Sequence, residues 1–241
     1  MKILKTLLLA TTVLSSIAVK AQTANEIVDK YVAALGGKEK IAAIKTIYTE
    51  SSVQIMGNEA PSITTLVNGK GFKNEMDFNG SKIVQCYTKD GGWTINPFQG
   101  QTAAEPLPAE MVKRGKAQLD IGGPLFNYAA KGNKVELVGK EDVNKIKNAY
   151  KLKVTTPDSL VMMLYIDPTT YYLVKNVSTI TAQGQDIEIG STFSDYKKTD
   201  YGYPVPYSTE LALPQGMSLT IVTKKVEINK EVDPKIFEMP K

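Results

Sequence analysis

The sequence predicts a mainly β protein: one antiparallel meander of about eleven strands, with an N-terminal helix and a helical insertion. Three observations carry this. From Lys145 to Val154, Ile146, Asn148, Tyr150, Leu152 and Val154 alternate with Lys145, Lys147, Ala149, Lys151 and Lys153. A period of two marks a half-buried strand. Asn68-Gly69, Asn79-Gly80 and Asp90-Gly91 recur every eleven residues, and such dipeptides favour the tight turns of hairpins. Between Pro157-Asp158 and Asp167-Pro168, the run from Leu160 to Ile166 is apolar at both parities, as in a strand covered on both faces. The strands share no motif, so the spacing is hairpin geometry and not a repeat. A curved sheet that is wet outside and apolar inside needs its inner face filled, by helices, by a ligand or by both.

The elements follow in order. Lys2 and Lys5 precede an apolar run from Leu7 to Val19, and Val19-Lys20-Ala21 is a small-residue cleavage site. Residues 1–21 therefore read as a secretory signal peptide, leaving one domain over 22–241 that starts at Gln22. The run is shorter than the ~20 residues of a spanning helix. No cysteine lies beside the cleavage site for lipid attachment, so the expected location is periplasmic and unanchored. Thr23-Ala-Asn-Glu26 is a capping box for a helix whose stripe is Ile27, Val28, Tyr31, Ala34 and Leu35. Gly36-Gly37 ends it, and residues 38–44 suggest a second short helical turn. Strands are expected at residues 47–55, 63–67, 72–78, 83–88 and 93–95. Residues 96–108 read as a loop, 109–119 as a helix with Gly115 as its weak point, and 125–130 as a short helix. Strands resume at Val135 and run through 146–154, 160–166, 171–175, 187–196, 207–213 and 217–228, with turns at Gln183-Gly184, Tyr201-Gly202 and Pro214-Gln215-Gly216.

Composition narrows the function. Losing Lys2, Lys5 and Lys20 leaves 26 basic residues against 25 acidic, so the net charge falls from +4 to +1. Nucleic-acid binding wants a basic domain and is not expected. The chain has no histidine and one cysteine, Cys86. Serine–histidine and cysteine–histidine catalysis, histidine- or thiolate-based zinc sites and iron–sulfur sites are thereby excluded. No disulfide forms within the chain, and Cys86 reads as a small buried hydrophobe. Gly36-Gly37, Gly91-Gly92 and Gly122-Gly123 lack the pattern of a phosphate loop. The acidic pairs Asp186/Glu188 and Glu141-Asp142 read as solvated edges and turns. Carboxylate-only hydrolysis is the catalytic class left open; no cofactor or metal is expected.

Several strings carry a family resemblance: Tyr150-Lys-Leu-Lys-Val154, Tyr165-Ile-Asp-Pro-Thr-Thr-Tyr-Tyr-Leu-Val174, Phe193-Ser-Asp-Tyr-Lys-Lys198, Tyr201-Gly-Tyr-Pro204 and Asp233-Pro-Lys-Ile-Phe-Glu-Met-Pro240. With Ala34-Leu-Gly-Gly-Lys-Glu-Lys-Ile-Ala-Ala-Ile44, they resemble the LolA/LolB-like lipoprotein-carrier superfamily, in its outer-membrane lipoprotein-sorting branch. The resemblance covers nearly the whole mature chain and consists of strand-and-turn patterns. It implies an unclosed antiparallel half-barrel with helices on its concave face and an apolar cavity that holds acyl chains. Carriers of this family are latched by a strand arginine that reaches the helices. The sole arginine here, Arg114, lies in the insertion, so that latch does not transfer. The anchored partner in the family begins with a lipidated cysteine; lacking one, this chain resembles the soluble carrier.

The reading implied is a periplasmic, non-enzymatic carrier or sensor for a lipid or acylated lipoprotein, working by movement of helices over the sheet, with transient membrane contact. Candidate cavity residues are Trp93, Met162, Met163, Leu164, Tyr172 and Phe193. Trp93 opens the last strand before the insertion, where a lid would hinge, and the methionines are adaptable apolar side chains. Ordinary core packing is the competing role for each. The competing class is an envelope protein-interaction module with a self-filled core, for which Tyr196, Tyr201, Tyr203 and Tyr207, with Pro204 and Pro206, are a candidate patch. A small membrane barrel fits poorly, because lysines punctuate the outward faces.

Overall fold

The computed structural model describes residues 22–240, apart from residues 56, 183–184 and 213–215. The leader reading over 1–21 and the turns read at Gln183-Gly184 and Pro214-Gln215 lie outside the described residues.

Helix α1 spans Ala24–Ala34 and begins with the expected capping box: Glu26 N donates to Thr23 Oγ1 at 3.3 Å, and Thr23 N to Glu26 Oε2 at 2.9 Å. It buries Ile27, Val28, Tyr31 and Val32. Gly36 and Gly37, at φ 105° and 92°, turn the chain into α2, Lys38–Ala42; side chains other than glycine rarely adopt such angles. The first meander is β1 (Thr46–Ile55), β2 (Asn58–Val67), β3 (Gly71–Phe78), β4 (Ser81–Thr88), β5 (Gly92–Ile95) and β6 (Glu105–Pro106). Helix α3, Ala109–Gly115, tightens into a 3₁₀ turn over Lys116–Leu119. The second meander is β7 (Lys134–Val143), β8 (Ile146–Thr155), β9 (Val161–Ile166), β10 (Leu173–Ala182), β11 (Gln185–Lys198), β12 (Pro204–Ala212) and β13 (Ser218–Ile228).

All thirteen strands form one antiparallel sheet in the order β6-β5-β4-β3-β2-β1-β13-β12-β11-β10-β9-β8-β7. The two meanders join where β1 pairs with β13. The free edges are β6 and β7, so the sheet is an unclosed half-barrel. These edges are consecutive in the chain, and the connection between them, residues 107–133, carries the helical insertion across the concave face. Its anchors are Leu119, packed with Tyr87 and Leu107, and Ile121, Leu125 and Phe126 in the main core. Gly69 N donates to Leu119 O at 2.7 Å, tying the insertion to the β2–β3 connection.

Several expectations need revision. The strand count is thirteen, with β6 falling where a loop was expected. Residues 125–130 form a series of turns, not a helix. Of the three dipeptide turns only Asn79-Gly80 is a two-residue turn with both φ positive, 54° and 80°. The other two connections each span three residues, 68–70 and 89–91. The alternation in β8 breaks at Asn148, which takes a φ of 56°. Ile146 and Ala149 therefore join an outer-face cluster with Val143, Tyr165 and Val174, while Tyr150, Leu152 and Val154 enter the main core. The apolar run in β9 is covered on both sides, as its composition implied: Leu164 sits in the main core and Tyr165 in the outer cluster.

The main core lies between the concave face and the helices and includes Ile27, Ile41, Ile44, Leu125, Leu152 and Ile166. It also holds Tyr31 and Tyr203, and burial pushes both phenols up, Tyr203 to about 12. Burial raises Tyr196 as well, whose hydroxyl donates to Leu173 O at 2.7 Å. Folded pKa values above the unfolded value of about 10 set the sign. Below pH ~10 both states keep the proton; above it the unfolded chain loses protons that the folded chain retains. Stability should thus fall as pH rises from about 10 towards 12, by up to about 1.4 kcal/mol per pH unit for each phenol. Urea midpoints measured from pH 8 to 11.5 check this. Tyr203→Phe should remove part of the slope, and an unchanged slope in that variant would contradict the assignment.

Candidate functional site

A cleft of about 780 Å³ opens between the insertion and strands β9 and β10, within the ~300–1,000 Å³ typical of ligand sites. Its floor comes from the sheet. Met162 and Leu164 of β9 lie beside Ser178 and Asn176 of β10 in register, with Leu173 next to them. Alternation puts these β9 residues on the helix side and Met163 on the other. The roof comes from the insertion: Lys113 of α3, Lys116, Ala117 and Gln118 of the 3₁₀ turn, and Asp120 just beyond it. Pro124, Lys131 and Asn133 close one end, and the β8–β9 turn from Thr156 to Leu160 forms the opposite lip.

The polar groups of the cleft are partly self-satisfied. Lys131 Nζ lies 2.5 Å from Asp120 Oδ2 and donates to Gly123 O at 2.8 Å. Asn133 Nδ2 donates to Pro124 O at 2.9 Å. The Thr156 hydroxyl donates to Asp158 Oδ1 at 2.5 Å. That hydrogen bond, with help from the nearby charge of Lys113, holds the Asp158 carboxyl below the usual carboxylate range. Among the described residues no group of three or more His, Cys, Asp or Glu side chains is placed to hold a metal.

The six residues singled out from the sequence divide between the two faces. Met162 and Leu164 line the cleft; Leu164 is 2% exposed and doubles as core. Phe193 is half-buried and falls on the cleft face by register, two residues beyond Ser191, the partner of Asn176. Tyr172 packs on the main core and stacks on Tyr196 at 4.5 Å. Met163 packs on the outer cluster. Trp93 is also on the outer face, beside Val84 and Cys86, under the C-terminal 3₁₀ turn Pro234–Phe237. Its indole Nε1 donates to Phe237 O at 2.8 Å. Trp93 and Met163 therefore do not line the opening.

Sequence reasoning passed over Lys113, Lys116, Lys131, Leu173 and Asn176. The one available signal was the spacing of Lys113, Lys116 and Ala117 on a single helical face. Of the tyrosine patch weighed for partner binding, Tyr203 is buried, Tyr196 stacks on Tyr172 and Tyr201 donates to Lys40 O at 3.3 Å, while Tyr207 is partly exposed with Lys197 over its ring.

No family model and no curated protein sequence matches the chain. Solved structures do. A DUF1329 family protein from Desulfovibrio piger is 16% identical with a TM-score of 0.57, the match covering 90% of this chain and 98% of that one. A LolA superfamily protein from Nitrosomonas europaea is 14% identical with a TM-score of 0.55, over 90% of this chain and 98% of that one. A Vibrio parahaemolyticus structure described as an outer-membrane lipoprotein-sorting protein domain is 14% identical with a TM-score of 0.54, over 88% and 94%. At these identities the likeness is one of fold: the chain has the LolA-like fold. No described helix is long and apolar enough to cross a membrane.

Proposed function

We propose that this protein is a periplasmic, non-enzymatic carrier or sensor that holds an acyl chain of a lipid or lipidated protein in the cleft between insertion and sheet. The observation that carries the reading is the cleft itself. Helices α1 and α2 fill much of the concave face, and what remains open has an apolar floor of Met162, Leu164 and Leu173. Burial of apolar area, at about 25 cal/mol per Å², would drive binding. The fold shared with a protein described as lipoprotein-sorting supports the carrier class, and acylated envelope proteins are the natural partners. Export follows from the leader reading over residues 1–21; N-terminal sequencing of exported material should begin at Gln22, and retention of Met1 would refute it.

The function is tested by native mass spectrometry of protein purified from its own envelope, together with binding of a fluorescent fatty-acyl probe. Met162→Ala should weaken the probe about tenfold, the equivalent of ~1.4 kcal/mol of lost burial. Met163→Ala, on the outer face, should lower stability and leave binding unchanged. If the wild type binds no acyl probe, or Met162→Ala binds as the wild type does, the carrier reading fails and a protein-interaction module takes its place.

A further inference from the structure

The charges around the cleft do not cancel, and their placement bears on the ligand. Five ionisable groups line it: Lys113, Lys116 and Lys131, with Asp120 and Asp158. Lys131 and Asp120 neutralise each other at 2.5 Å. Asp158, on the opposite lip, accepts from the Thr156 hydroxyl and keeps its negative charge, near the positive charge of Lys113. Three lysines against two carboxylates leave one positive charge in excess, with Lys113 and Lys116 on the roof. These two lysines sit three residues apart, and neither is in an ion pair among the described residues. The cleft thus carries a net positive charge on its roof, over a floor of Met162, Leu164 and Leu173. Leu160, 36% exposed, extends the apolar lining at the lip.

Apolar floor and cationic roof together match an amphiphile whose chain is apolar and whose head is negative. An ammonium beside a carboxylate or phosphate makes charge-assisted hydrogen bonds, about twice as strong as neutral ones. The long lysine stems can lie along apolar surface while their heads stay at the opening. A neutral head gains none of this, and a cationic head is repelled. Resting on the acyl-cleft reading, we propose that the cleft selects acyl ligands with an anionic head group, a carboxylate or a phosphate ester, held by Lys113 and Lys116.

The test compares ligands of one chain length: dodecanoate, dodecyl phosphate, dodecanol and dodecyltrimethylammonium, all below their micellar concentrations, displacing a fluorescent acyl probe from the intact protein. Inorganic phosphate is the chain-free arm. Dodecanoate and dodecyl phosphate should bind about tenfold more tightly than dodecanol, and the cation more weakly still. The gap should shrink as salt rises, because exposed charges are screened. Lys113→Gln with Lys116→Gln should bring the ligands together, whereas Lys224→Gln, outside the cleft, should keep the gap. A wild type that binds all the amphiphiles equally, or a double variant that keeps the preference, overturns the head-group assignment and leaves the acyl reading standing. Inorganic phosphate as tight as dodecyl phosphate also overturns it, because the chain then contributes nothing. If no amphiphile displaces the probe, the acyl reading itself fails and this inference falls with it.

Discussion

Phe237→Ala is expected to lower stability by about 3–5 kcal/mol and to open Cys86 to thiol reagents. Phe237 is 8% exposed and holds the C-terminal segment against the outer face of β3–β5, with Val84, Cys86 and Trp93 beneath it. Its ring lies so close to Gly71 that a Cβ there would fall 2.7 Å from it. Its carbonyl receives Trp93 Nε1 at 2.8 Å and Cys86 Sγ at 3.5 Å. Without the ring, the segment loses the apolar contact that positions this carbonyl, and a buried indole N–H loses its partner. Burial pushes the Cys86 thiol up to about 11, against the opposing pull of Lys73. At pH 7 a group of that pKa is about one part in ten thousand thiolate, and the thiolate is the reactive form. Native wild type should therefore label very slowly and the variant far faster. Urea unfolding and the rate of a disulfide-exchange reagent measure the two effects. Wild-type values for both would show that the tail is not the cover.

Gly115→Val should unseat the insertion. A Cβ at Gly115 would lie 2.2 Å from the Tyr87 ring, far inside van der Waals contact. Tyr87 is 4% exposed and packs with Leu107 and Leu119. The expected cost is about 1–3 kcal/mol, the usual range for overpacking. Because α3 also roofs the cleft, the same change should abolish acyl-probe binding and expose residues 109–119 to proteolysis. Adding Tyr87→Ala should restore part of the loss, since the two residues compete for one space and their effects are then not additive. Strictly additive losses would show that the clash relaxes elsewhere.

This glycine shows where sequence reasoning stops. In a helix read alone, Gly115 is a weak point; in the fold it is where a side chain would run into the Tyr87 ring. The N-terminal capping box was legible because the whole motif lies within four residues. The hairpin at Asn79-Gly80 was legible for the same reason. The neighbouring connections were legible as turns but not in their type, because a third residue in each loop changes the backbone path. Period two in β9 separates Met162 from Met163, yet cannot say which of them faces the helices. Trp93 was misplaced on that account: it sits on the face opposite the insertion that follows it.

The sequence by itself determined the class of fold, most of the order of its strands and helices, and the exclusion of histidine-based catalysis and of metal sites built from several cysteines, since each rests on local pattern or on residues that are absent. Only the tertiary structure decided which face of the sheet is concave, where the cleft lies, and that Lys113 and Lys116 stand over Met162 and Leu164. Those facts depend on β1 pairing with β13 across most of the chain, and on a connection that must cross from one free edge of the sheet to the other. A strand's alternation sorts side chains into two sets. The long-range pairing and the landing point of the insertion choose which set is covered.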